Sequence, residues 1–77
     1  MKKLSLVQMK EGQKGKIIEI TGGVNLRNRL MSMGMYEDRE VIKLSHFALR
    51  GPVAVKVGRS VFAIGHSMAA KIILELE

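Results

Sequence analysis

Eight glycines in 77 residues limit the length of every regular element this chain can form. They stand at Gly12, Gly15, Gly22, Gly23, Gly34, Gly51, Gly58 and Gly65, and most intervals between them are too short for an ordinary helix. Short strands fit those intervals. Lys16-Ile17-Ile18-Glu19-Ile20 is rich in β-branched residues and stops at Thr21-Gly22-Gly23, and Glu40-Val41-Ile42-Lys43-Leu44 is a second run of the same kind. Val53, Val55 and Val57 alternate with Ala54 and Lys56, and after Gly58-Arg59 comes Ser60-Val61-Phe62-Ala63-Ile64. Together they predict a hairpin. A fifth strand is predicted at Ile72-Ile73-Leu74-Glu75-Leu76, with Ile72, Leu74 and Leu76 on one face.

One segment breaks the rhythm. From Asn25 to Met33, Leu26, Leu30 and Met33 recur at helical spacing while Arg27, Asn28 and Arg29 occupy the other faces, so a short amphipathic helix is predicted there. Asn25 is its expected N-cap, and Gly34 is expected to end it in the left-handed conformation. A single helical turn is predicted at about Ser67 to Lys71, capped by Ser67. Five short strands around one small core predict a single mainly β barrel domain over residues 1–77, because closure removes unpaired edges. The helix inserted between the first two main strands and the turn before the last favour an SH3-like barrel over an OB-like one. The chain shows no internal repeat and no linker.

Composition narrows the chemistry. Without cysteine there is no disulfide framework, thiolate metal site or cysteine nucleophile, which fits a reducing cytosol. The opening apolar stretch is cut off by Gln8, Lys10 and Glu11, short of a signal peptide, and no run approaches the roughly 20 apolar residues of a membrane span. A cytoplasmic protein is expected, recruited to a membrane only through a partner. The net charge of +6 favours acidic partners, and the thirteen basic residues, Lys43 among them, are scattered as on a folded surface with a broad positive field.

No enzyme is expected. The histidines are His46 and His66 alone, and the Ser67 hydroxyl beside His66 diverges from it in any regular element. Gly22-Gly23-Val24 lacks the lysine and hydroxyl of a phosphate-binding loop. The run Met31-Ser32-Met33-Gly34-Met35 offers thioethers that suit Cu(I), but Met33 lies on the apolar helix stripe and methionine commonly fills small cores. His46 and His66 fall in predicted loops, where a divalent ion held by the two together or at a contact between two copies is the alternative to solvated side chains; no companion carboxylate or cysteine stands at ligand spacing, so solvated side chains are expected and neither a metal ligand set nor a cofactor is read. Nucleic acid is the alternative partner for a small basic barrel, but stacking platforms are scarce: only Tyr36, Phe47 and Phe62 are aromatic, and Phe62 is expected in the core.

Arg29-Leu30-Met31-Ser32-Met33-Gly34-Met35 resembles the RLxxMG(L/M/I) signature of FeoA domains. Leu6 and Gly12-Gln13-Lys14-Gly15-Lys16-Ile17 resemble that family's opening strand, and Gly51-Pro52-Val53-Ala54-Val55-Lys56-Val57-Gly58 its GP-containing hairpin. Phe62-Ala63-Ile64-Gly65-His66-Ser67-Met68-Ala69-Ala70-Lys71-Ile72 resembles its closing strand, turn and strand. Two departures stand out: Tyr36-Glu37-Asp38-Arg39 occupies a turn where many members carry glycine or proline, and Gly65 stands where many carry arginine. The resemblance implies an SH3-like barrel in the cytosol that works with FeoB, a membrane transporter with a cytosolic GTPase domain, as a docking module that does not itself handle iron. A related domain also closes some iron-dependent repressors. The expected docking residues are Leu26, Arg27, Arg29, Leu30, Met31 and Met35, in which arginines able to pair with carboxylates adjoin methionines Met31 and Met35 expected to be partly exposed. Weak self-association is left open.

Overall fold

The computed structural model describes residues 2–47 and 50–76. In chain order the elements are β1 (Lys3–Ser5), β2 (Lys14–Ile20), α1 (Val24–Ser32), β3 (Glu40–His46), β4 (Val53–Val57), β5 (Ser60–Ile64), α2 (His66–Ala69) and β6 (Ile72–Leu76). The five expected strands are present, and a sixth, β1, joins them. At three residues, with no β-branched side chain, β1 carries no readable pattern; it exists because Lys3, Leu4 and Ser5 pair with Glu75, Leu74 and Ile73.

The strands form one antiparallel ladder in the order β1-β6-β2-β3-β4-β5. The expected closure is not made by strand pairing among the described residues; the ladder stays open between the short edge strands β1 and β5. It is nevertheless curled. Six flat strands would span about 24 Å but stay thin in the third direction, whereas this chain measures 27 × 26 × 23 Å. Leu6, just after one edge strand, and Ile64, on the other, belong to the same core with Ile17, Leu30, Val41, Val55, Ile72 and Leu74.

Two register shifts help the sheet bend. In β2 the shift falls between Ile17 and Glu19, so Ile17 and Ile20 both point inward although they are three positions apart. In β3 it falls between Lys43 and Ser45; Leu44 is turned out, and Lys43 and His46 are left on the same side. The β4–β5 hairpin has the expected register, with Val57 opposite Ser60 across Gly58-Arg59.

Helix α1 is capped two residues earlier than expected. Gly23 (φ 93°), not Asn25, is the N-cap, and no side chain caps the helix. Its end is as expected: Gly34 is left-handed (φ 83°), its N–H donates to Met31 O at 2.9 Å, and Met35 N–H donates to Leu30 O at 2.9 Å. This Schellman pattern brings residue Met35 back against Leu30, and both are fully buried. The turn α2 is capped by Gly65, whose carbonyl accepts from Ala69 N–H at 2.9 Å, and Ser67 lies inside it as an exposed residue. No described helix is long and apolar enough to cross a membrane.

One basic residue does not lie on the surface. Lys43 is 1% exposed, and its Nζ donates to Val7 O at 2.9 Å and to Met9 O. Backbone bonds Gly12 N–H to Lys43 O (2.7 Å) and Lys43 N–H to Gln13 O (3.0 Å) fix the same strap from the other side. Burial pushes the Lys43 amine below the usual lysine range, and the Glu11 carboxylate pulls it partly back. Lys43→Met therefore removes the donor from two inward carbonyls and is expected to cost about 1–3 kcal/mol in urea denaturation at neutral pH. The pH dependence has a definite sign. Below the lowered folded pKa the charged amine is carried in both states; as pH rises from there toward the ordinary lysine value, the folded chain binds fewer protons than the unfolded one, so this group's contribution to stability rises. The wild type should show that rise and Lys43→Met should lack it.

Candidate functional site

Helix α1 contains two arginines and no acid in Val24–Ser32. Leu30 is buried, and Leu26 and Met33 are partly buried against the core, which turns Val24, Arg27, Asn28, Arg29 and Met31 outward. Of the residues expected at a docking face, Leu26, Arg27, Arg29 and Met31 are at least partly accessible. Leu30 and Met35 are not, and the expectation that Met35 is partly exposed is corrected: Met31 is 52% exposed and Met35 0%. The cause is the left-handed Gly34, which folds the chain back under the helix.

The two arginines are in different states. Arg27 Nη2 meets Glu37 Oε1 at 2.7 Å, with both side chains about half exposed (49% and 51%), so the pair is worth roughly 0–1 kcal/mol. Glu37 comes from the Tyr36-to-Arg39 loop, which is held by Asp38 N–H to Ile17 O (2.7 Å) and Ile17 N–H to Arg39 O (2.9 Å). Arg29 makes no ion pair among the described residues; its nearest polar contact is Met68 Sδ, 3.9 Å from Nη1. Open grooves flank the helix. One, of about 440 Å³, is lined by Ile20, Gly23, Val24, Arg27, Asn28 and Met31; the other, of about 370 Å³, by Gly22, Asn25, Leu26 and Arg29. A Cβ on Gly22 would come within 2.9 Å of both Leu26 Cδ2 and Lys71 Cδ, so the Lys71 stem packs beside Gly22 at the second groove. Sequence reasoning missed Val24, Glu37 and Lys71 here. Val24 was hidden by the misplaced helix start, and the other two arrive through tertiary contacts that no local pattern records.

The histidines are a second finding. They were expected as separate solvated loop residues, but His46 ends β3 and His66 begins α2, each is partly buried, and their ring centroids lie 6.1 Å apart at 35°. Lys43 Nζ is 3.4 Å from His46 Nδ1, and His46 N–H donates to Glu11 Oε2 at 3.2 Å. His46 Nε2 and His66 Nδ1 are buried and make no hydrogen bond among the described residues. No group of three or more histidine, cysteine or acidic side chains able to hold a metal occurs among the described residues.

Known proteins give this geometry its context. A crystal structure of an iron uptake regulatory protein (FeoA) superposes with a TM-score of 0.90 at 31% identity, covering 100% of both chains. The FeoA-like protein from Clostridium acetobutylicum superposes at 0.84 with 22% identity over 99% of this chain and 88% of that one. A manganese-dependent transcriptional repressor shares the fold at 0.88 and 17% identity; 97% of this chain matches 42% of the repressor. No curated protein matches the sequence. The family model of the FeoA domain matches residues 4–76, and with that span and the full-length likeness at 31% identity, this chain belongs to the FeoA domain family.

Proposed function

We propose that this protein is an accessory of ferrous iron uptake that docks, through the exposed side of α1, on the cytosolic GTPase region of a FeoB-type transporter and modulates it there. Family membership supports the iron-transport setting. The observation that carries the docking surface is Arg29: a cation without an acidic partner among the described residues, on a helix that exposes Met31 and is flanked by two open grooves. Exposed arginine next to exposed methionine and valine suits an interface centre in which a carboxylate is paired and apolar area is covered. The grooves are shallow surface features rather than an enclosed small-molecule pocket, in keeping with a protein partner. A fold that forms about two-fifths of a larger repressor also supports a module that works through what it contacts.

The test is a calorimetric titration of this protein into the soluble GTPase domain of the cognate transporter. Arg27→Glu together with Arg29→Glu should weaken binding by more than about 1 kcal/mol, roughly fivefold, with unchanged circular dichroism. If affinity and fold both survive the double change, α1 serves only to cover the core. Duplex and single-stranded oligonucleotides across a salt series are the controls: steeply salt-sensitive, weak binding is expected from the charge alone. Tight oligonucleotide binding at physiological salt, with none to the GTPase domain, would replace the docking reading with nucleic-acid recognition.

A further inference from the structure

We propose that β5 is an interface strand through which two copies of this chain pair edge to edge, antiparallel and centred on Phe62, in a weak two-fold dimer. The surface is separate from α1 and does not depend on the docking reading. The ladder has two ends, and they are guarded differently. β1 is three residues long and presents Lys3 to solvent. β5 is five residues long, carries neither charge nor proline, and pairs with β4 without a register shift. Short length, lysine, proline and bulges are the devices that keep a strand edge from recruiting another strand, and β5 has none of them. Among the described residues, no hydrogen bond beyond the β4 pairing involves the Ser60–Ile64 backbone.

The groups this edge offers follow from the hairpin. Val57 and Ser60 flank the turn Gly58-Arg59, whose Gly58 (φ 62°) suits the first position of a type II′ turn, so these two residues exchange hydrogen bonds, as do Val55 with Phe62 and Val53 with Ile64. Val61 and Ala63, between them, turn N–H and C=O to the open side, and both residues are exposed, Val61 at 61%. That spacing is self-complementary. With Phe62 on the two-fold axis, Val61 of each copy lies opposite Ala63 of the other, and each such pair exchanges both N–H···O=C bonds. Phe62 meets its counterpart at the intervening non-hydrogen-bonded pair, where side chains approach most closely; it is only partly buried against the core, so the contact covers its remaining aromatic area. Charge agrees with this arrangement. A net +6 makes two copies repel over most of their surfaces, but Ser60–Ile64 is neutral, and antiparallel pairing carries Arg59 of the two copies to opposite ends, each across from Gly65. The described residues contain one such edge, so the assembly closes at two copies. A contact built on a five-residue strand falls below the about 1,200 Å² of stable interfaces, which makes the dimer weak.

The test is ¹H–¹⁵N NMR and sedimentation equilibrium of the full chain from about 20 μM to about 1 mM. Amide shifts with concentration should concentrate on Ser60–Ile64, and a sample mixed from differently labelled copies should show an inter-chain contact between Val61 and Ala63. Because the copies share a charge, raising salt from about 0.05 M to about 0.5 M should strengthen association, opposite to the salt response of an acidic partner. Val61→Lys, which charges the exposed side of the edge, and Ala63→Pro, which removes an outward N–H and no ladder bond to β4, should each weaken association about tenfold or more with an unchanged melting temperature. A chain that stays monomeric at about 1 mM overturns the proposal and leaves the edge to an extended segment of another protein. Association whose shifts fall outside β5, or that survives both substitutions, overturns it as well. The shifts and the inter-chain contact come from the unaltered chain and decide the question even where a variant fails to fold.

Discussion

The structure depends on where its last strand goes. β6 enters the ladder between β1 and β2, so residues 72–76 pair with residues 3–5 on one side and 15–20 on the other. Ile72 and Leu74 are fully buried there. The approach of β2 to β6 is close enough that a Cβ on Gly15 would sit 3.2 Å from both Glu75 O and Leu74 Cβ. In a 77-residue chain with a thin core, covering the centre therefore requires the two ends of the sequence to meet. The register shifts in β2 and β3 and the back-folded end of α1 let this one short ladder enclose its own core.

Much of that architecture was legible because it is written in local periods. Alternating valines gave the β4–β5 hairpin, the spacing of Leu26, Leu30 and Met33 gave α1, and Gly34 marked its end. What was illegible depends on contacts between distant segments. β1 is a strand only through β6. Gly23 rather than Asn25 caps α1 because the paired left-handed glycines turn the chain directly into the helix. Lys43 reads as one more surface cation until the shift at Leu44 and the strap at Val7 and Met9 surround it. Met35 reads as the tail of an exposed methionine run, yet it is drawn under Leu30 by the turn at Gly34. The proximity of His46 and His66 was beyond any spacing rule, since it is set by a register shift and a helical turn.

The candidate site was legible in part for the same reason. Arg27 and Arg29 follow from the helical period, but their difference does not. The loop at Tyr36 to Arg39, a departure from the family pattern, supplies Glu37 to Arg27 and leaves Arg29 for other company. A fold shared with manganese-dependent repressors does not by itself assign a partner. The distribution of paired and unpaired charge on α1 is what separates this reading from a generic basic barrel, for which the +6 charge would suit a nucleic acid as readily as a protein.

The central claim is that the exposed side of α1 meets the transporter's GTPase region, and the most direct measurement is amide and methyl NMR of the labelled protein as that domain is added. The account predicts that perturbations concentrate on Val24, Arg27, Arg29, Met31 and the neighbouring Glu37 and Lys71, with Leu30 and Met35 responding only secondarily. Perturbations confined to the β4–β5 hairpin or to the β1 edge, with α1 silent, would contradict it.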